Sequence, residues 1–276
     1  MISKKEIICP ENLLRLAKSK GPVKAVIVNA VKLTAIESAK QAVDANLITP
    51  IFIGDKSIIE KNAKEISWDI SKFELIDEPV ENNTAPIAAK LASEGKVKII
   101  IKGHIHTDVL MKAVLKRDLN LIGKKRLSHI WHMTLEKNDK PLIITDGALN
   151  VLPKLETKMH ILKNSIDFAN RINIAKPKVS VLSATEEILE SVPSSIEANE
   201  LTKRAKEEGL NADVFGPMAF DNSISEKAAQ IKGIKNIVAG KADILLVPNV
   251  EAGNALVKMM IYFMGACAAG VVVGGK

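Results

Sequence analysis

Short apolar runs rich in β-branched residues recur along the chain, separated by longer stretches whose apolar positions return every three or four residues. The short runs predict strands at 25–28, 50–53, 73–76, 97–102, 129–134, 142–145, 179–183, 213–215, 243–247 and 271–273. Most are apolar at consecutive positions, as expected of strands buried on both faces of a parallel sheet. The longer stretches predict helices at about 10–19, 33–46, 83–94, 107–117, 154–171, 195–208, 222–232 and 252–267. This alternation predicts an α/β fold with a largely parallel sheet. It breaks at SHIWHMTL (128–135) and KPLIITD (140–146), which only Glu136-Lys137-Asn138-Asp139 separates. Two runs joined so closely predict a hairpin, and with it a local antiparallel pair. We place a seam between two lobes there: a first α/β lobe at 1–132, a second at 133–271, and a return toward the first at 272–276.

Ligands of open α/β sheets sit outside the carboxyl ends of the strands. The residues just past the predicted strands are Asn29, Gly54-Asp55, Lys102-Gly103-His104, Asp146 to Asn150, Ser183-Ala184-Thr185, Gly216-Pro217 and Pro248-Asn249. Many are small or carry amides and carboxylates, which is the composition of a pocket. In LLVPNVEAGN (245–254) the apolar run stops at Pro248, and Asn249, Glu251 and Asn254 crowd around Gly253. A carboxylate in the first turn of a helix favours its dipole, but three polar side chains exceed what a cap requires, so this turn points to a site. In IIIKGHIHTD (99–108) a strand leads through Lys102 and Gly103 to Thr107 at a helix N-cap. That arrangement suits a bound anion; it equally suits an ordinary capped helix with Lys102 in solvent. In GPMAFDN (216–222) Gly216-Pro217 makes a rigid turn, and Asp221 or Asn222 caps a helix from Ser223.

Composition narrows the classes. With 276 residues, 47% of them hydrophobic, the chain can bury a sizeable core. Aromatics are only 3%, few for the stacking platforms of a single-strand nucleic-acid binder. The formal charge of +7 comes from scattered lysines, densest at Lys124-Lys125-Arg126. It reads as a solvated surface or as attraction for a small anion, with no basic helix or nucleic-acid motif, so no nucleic-acid partner is expected. Cys9 and Cys267 make neither a metal spacing nor a disulfide framework. Histidines at 104, 106, 129 and 132 have no accompanying Cys or carboxylate cluster, and His129 and His132 fall on opposite strand faces. Polar-pocket or surface roles are therefore expected for them, and no metal. The longest apolar stretch, MMIYFMGACAAGVVV (259–273), is short for a membrane span and broken by glycines; it predicts a helix running into a strand. No membrane association is expected, and the N-terminus lacks the apolar core of a signal peptide, which predicts a cytoplasmic protein. There is no GxGxxG, Walker loop, GxSxG or HExxH.

The order of the blocks says more than any one of them. ADILLVPNVEAGN followed by ALVKMMIYFMGACAAGVVVGGK, GPMAFDNSIS before it, LIITDGALNVLPKLETK earlier still, and IKGHIHTD and RLSHI upstream together resemble the phosphate acetyl/butyryltransferase family. The resemblance implies two α/β lobes of the isocitrate/isopropylmalate dehydrogenase-like architecture, with the site in the interlobe cleft. It implies reversible acyl transfer between a short-chain acyl-CoA and phosphate, giving acyl phosphate and CoA. It also implies a homodimer with no redox cofactor and no obligatory metal. The substrate-binding residues expected from it are Lys102, Gly103, Thr107, Arg126, Asp146, Pro217, Asp221, Asn249, Glu251, Gly253 and Asn254. Thr107 and the amides after it would hold phosphate, Lys102 or Arg126 would supply charge, and Asn249 and Asn254 would orient the acyl group or donate to the oxyanion. The family's Ser-Arg motif is expected beyond Lys276, in a segment that completes the first lobe, so no catalytic residue is assigned within the chain. His106 and Phe215 stand where relatives often have serine and aspartate. Two other readings share the fold: a non-catalytic acyl-CoA-binding module, and a phosphate acyltransferase that uses acyl carrier protein.

Overall fold

The computed structural model describes residues 2–123, 125–135 and 140–275. These fall into two compact units, one of residues 14–123 and one formed by the described residues of 1–13 and 124–275. After α1 (Glu11–Lys18), the first unit is built on a four-stranded parallel sheet of β1 (Val23–Val28), β2 (Ile48–Gly54), β3 (Glu74–Asp77) and β4 (Ile99–Lys102), in the order β3-β2-β1-β4. Its helices are α2 (Leu33–Asp44), α3 (Lys56–Glu65), α4 (Glu81–Ser93) and α5 (Thr107–Val114). Both faces of the sheet are covered, which explains the consecutively apolar strands. Val26, Val28, Ile51 and Ile53 pack with Ala85, Ala88 and Ala89 of α4 on one face. Ile27 and Phe52 pack with Ile36 and Ala39 of α2 and Ile59 and Ala63 of α3 on the other. The pattern did not predict α3, although Asp55 caps it by accepting from the Ile58 N–H at 3.1 Å.

The second unit carries a six-stranded sheet of β5 (Ser128–Thr134), β6 (Leu142–Thr145), β7 (Lys178–Leu182), β8 (Asp213–Met218), β9 (Ile244–Leu246) and β10 (Cys267–Val273). The order is β10-β5-β6-β9-β7-β8. β6, β9, β7 and β8 run parallel, and β5 is antiparallel to both β6 and β10. The predicted β5–β6 hairpin is present; its expected turn, 136–139, lies outside the described residues. The helices are α6 (Leu155–Arg171), α7 (Pro193–Glu207), α8 (Phe220–Ile224), α9 (Glu226–Ile231) and α10 (Val250–Met264). Ile130, Ile143, Val179, Val181, Ile244 and Leu246 meet α6 and α7 on one face, while Met133, Ile144, Leu245 and Val247 meet α10 on the other.

Several expectations need correcting. The boundary at 132 would cut β5, whose seven residues all pair with β10; the contacts divide the chain at 123/124 instead. The helix expected over 252–267 ends at Met264, where Gly265 takes a left-handed conformation (φ 65°) that glycine adopts without steric cost. The last strand therefore starts at Cys267 rather than 271. The helix expected over 222–232 is two short helices, broken at Ser225, whose Oγ caps the second by accepting from the Ala228 N–H at 3.2 Å. Among the described residues, no helix is long and apolar enough to cross a membrane.

Candidate active site

In the six-stranded sheet, the carboxyl ends of β6, β9, β7 and β8 and the amino end of β5 share one edge, because β5 runs the other way. Eight of the predicted site residues belong to this edge: Arg126, Asp146, Pro217, Asp221, Asn249, Glu251, Gly253 and Asn254. Asp146, the residue after β6, is 2% exposed and organises the edge. Its Oδ1 accepts from the backbone N–H groups of Ala148 (3.0 Å) and Leu149 (2.9 Å). Its Oδ2 accepts from the His129 N–H (3.0 Å) and from Asn150 Nδ2 (2.7 Å). Asn150 donates again to the Leu127 carbonyl at 3.0 Å, and Thr145 Oγ1 donates to the His129 carbonyl at 2.9 Å. One carboxylate thus ties the β6 loop to the start of β5, next to the exposed Arg126.

The neighbouring turn after β9 is held against this loop. Asn249 is the N-cap of α10, its Oδ1 accepting from the Ala252 N–H at 3.0 Å. The Val250 N–H donates to the Val151 carbonyl at 3.0 Å, and Asn254 Nδ2 points to the Gly147 carbonyl at 3.4 Å. Gly253 and Gly147 bring their backbones together: a Cβ on Gly253 would lie 2.7 Å from Gly147 Cα, and one on Gly147 would lie 3.0 Å from the Gly253 carbonyl carbon. Glu251 is exposed in the first turn of α10. The polar cluster of PNVEAGN therefore divides, with Asn249 Oδ1 committed to capping, Asn254 bridging to the β6 loop, and Glu251 open to solvent.

In β8, at the edge of the sheet, Pro217 is not in a turn. β8 continues through Gly216-Pro217-Met218, and Pro217 is a buried residue of an edge strand, where a missing N–H is tolerated. Neither Asp221 nor Asn222 caps a helix, because α8 already starts at Phe220 with Ala219 at the cap position. Asp221 is exposed; Asn222 is wholly buried, and its amide nitrogen donates to Glu186.

Lys102, Gly103 and Thr107 belong to the four-stranded unit. The strand order reverses between β1 and β4, and Gly103 lies at that switch point. The Gly103 N–H donates to the Val28 carbonyl at 3.0 Å, and a Cβ there would lie 2.3 Å from that oxygen, so only glycine fits. Asn29 locks the same crossing by donating through Nδ2 to the His104 carbonyl at 2.6 Å. A cavity of about 380 Å³ opens there, lined by Ile27, Ala35 and Ser38 with Lys32, Lys102 and Gly103. Thr107 is the first residue of α5 rather than its cap; His106 holds the cap position and makes no side-chain cap bond. The first-turn amides of α5 thus lack a side-chain acceptor at the cap, which suits an anion.

The sequence pattern marks neither of the two histidines of β5 as a site residue. The His129 ring lies 4.8 Å from that of Trp131 and packs over Gly270 of β10, with Nδ1 buried and unpartnered among the described residues. Burial lowers its pKa below 6.5, and the Asp146 charge partly opposes this. His132 is 5% exposed, and burial lowers its pKa as well. Both are therefore easier to protonate unfolded than folded. The stability they contribute is fully present above about pH 6.5 and is lost as pH falls through the folded values. Urea unfolding should show a lower midpoint at about pH 5 than at pH 7, and replacing both by glutamine should flatten that difference. Among the described residues, no three His, Cys, Asp or Glu side chains come together to hold a metal ion.

The profile described as Phosphate acetyl/butaryl transferase matches residues 73–276 of this chain. The chain belongs to that family. All the predicted site residues lie within the stretch that the phosphate acetyl/butaryl transferase profile covers. A phosphate acetyltransferase of Rhizobium meliloti is 37% identical over 267 residues, covering 96% of this chain and 84% of that protein. A phosphate butyryltransferase of Clostridium acetobutylicum is 35% identical over 263 residues, covering 95% of this chain and 87% of that protein. The crystal structure of a branched-chain phosphotransacylase from Enterococcus faecalis V583 superposes with a TM-score of 0.81 at 30% identity, covering 92% of this chain and 89% of that one. The α/β architecture predicted from the sequence is thus the family's own, and the acetyl- and butyryltransferase relatives span nearly the whole chain.

Proposed function

We propose that this chain catalyses reversible acyl transfer between a short-chain acyl-CoA and phosphate, giving acyl phosphate and CoA. The observation that carries this reading is the similarity over 96% of the chain to a phosphate acetyltransferase, with comparable similarity to a phosphate butyryltransferase. Neither the sensing-module reading nor the acyl-carrier-protein reading draws support from these relatives.

The chemistry asks for three things: a thiol that loses its proton, cations or helix amides for the phosphate, and donors for the tetrahedral oxyanion. Lys102, with Lys32 beside it in the cavity, and the uncapped first turn of α5 would serve the phosphate. Arg126 would add charge at the edge organised by Asp146. Asn249 has its Oδ1 committed, so its amide nitrogen is the group that would donate to the oxyanion, while Asn254 would orient the acyl carbonyl. Asp146, Gly253, Gly103 and Pro217 shape the backbone in this scheme. In the same proposal the protein works as a cytoplasmic homodimer and needs no cofactor beyond its substrates.

The test is to mix the purified chain with CoA and either acetyl phosphate or butyryl phosphate and to follow thioester formation. Turnover without added metal is expected, and the ratio of the two rates ranks the acyl groups. Failure with both acyl phosphates, together with no CoA binding by calorimetry, would overturn the reading.

A further inference from the structure

α8 has only five residues, too few to be stable by itself, so its contacts with neighbours hold it in place. It begins two residues after β8 ends at Met218, at the strand-end edge of the six-stranded sheet. One contact comes from Glu186, four residues past β7 in the loop that leads to α7. A Glu186 carboxylate oxygen, Oε1, accepts from Asn222 Nδ2. Its other oxygen lies 3.6 Å from Lys232 Nζ. Asn222 is 0% exposed, and its Oδ1 is buried with no partner among the described residues. Among the described residues, the side-chain hydrogen bonding of Asn222 thus runs through Glu186 alone. Around it, the Asn222 carbonyl accepts from the Gly240 N–H at 2.7 Å, and Ser223 Oγ meets Ser180 Oγ of β7 at 2.6 Å.

We infer that Glu186 is a positioning residue of the acyl-transfer site, fixing α8 and the Pro217–Asp221 segment against the loop after β7 through the buried amide of Asn222. It does not touch the reacting atoms. Lys232 is a minor contributor, since its side chain is 57% exposed and the pair is long. The kinetic part of this inference rests on the acyl-transfer reading above; the structural part does not.

The experiment compares wild type, Glu186→Ala, Glu186→Gln and Lys232→Ala by steady-state kinetics, thermal unfolding and amide hydrogen exchange. Glu186→Ala should lose roughly tenfold to a hundredfold in kcat/KM, as misplaced site elements do. Its Tm should fall by no more than about 2–4 °C, the shift for about 1 kcal/mol in a protein of this size. Glu186→Gln keeps an oxygen that accepts from Asn222 and should restore most of the activity; Lys232→Ala should match wild type. Exchange should speed up over residues 219–224 in Glu186→Ala and not in Glu186→Gln. Equal activity in Glu186→Ala and wild type, or a glutamine variant as impaired as the alanine variant, overturns the positioning role. If wild type itself transfers no acyl group, the functional reading fails, and exchange over 219–224 alone decides whether Glu186 holds α8.

Discussion

Gly253→Ala is expected to lower stability by about 2 kcal/mol and to reduce acyl transfer at least about tenfold, although alanine is the better helix former by about 1 kcal/mol. The reason is steric. The added methyl would lie 2.7 Å from Gly147 Cα and 3.0 Å from Val247 Cγ2. The first of these is backbone, so no rotamer change relieves it. Either α10 or the loop after β6 must retreat, and that loop carries Asp146 and Asn150. Equilibrium urea unfolding measures the first effect and thioester formation the second. Gly123→Ala is the control, because a Cβ there meets nothing within 4 Å, and it should change stability by less than about 0.5 kcal/mol. A Gly253→Ala protein more stable than wild type would mean that the two backbones do not meet in solution.

The fold was largely legible because strands buried on both faces print as unbroken apolar runs. Ile51, Phe52 and Ile53 face alternate sides of a covered sheet, and the sequence has no polar position to hide them. The same uniformity failed near the C-terminus. In MMIYFMGACAAGVVV nothing alternates, so the pattern does not show where the helix ends, although Gly265 is an available signal. The pattern hides α3 because Lys56 to Glu65 is mostly polar with a thin apolar stripe, yet Asp55 before it is an ordinary cap signal. The site was legible in its loops and less so in its bonds. PNVEAGN and GALN stood out as polar turns after strands, but the sequence cannot say which polar groups satisfy each other. Asn249 looked like a ligand group and is half a cap. The motifs mark Gly103 and Gly253 as site residues, and the close approach of two backbones is why each is glycine. Nothing in the sequence marks Glu186, because its partner Asn222 is 36 residues away, and the pairing of β7 with β8 brings the two together.

Asp146→Asn should be as damaging as Gly253→Ala or more so, and for an electrostatic rather than a steric reason. The native carboxylate accepts four hydrogen bonds, two on each oxygen. An asparagine oxygen can still serve the Ala148 and Leu149 N–H groups, but its NH₂ then faces the His129 N–H and the Asn150 amide, donor against donor. The part-buried His129 N–H loses its acceptor and the Asn150 amide keeps only the Leu127 carbonyl, so at about 1–3 kcal/mol for each lost bond the cost is about 2–4 kcal/mol. Asn150→Ala removes only one of these donors and leaves the carboxylate its other three, so its cost should be clearly smaller. The change also has a spectroscopic signature that mere loosening would not produce. The Asp146 charge opposes the effect of burial on His129, so removing it should move the His129 titration to lower pH, while His132, held down by burial without a contribution from Asp146, should stay where it is. Histidine ring resonances followed by NMR through the titration would read both. A His129 titration unchanged or raised in Asp146→Asn would show that the carboxylate is not seated beneath the start of β5, and the arrangement of this edge of the sheet would have to be redrawn.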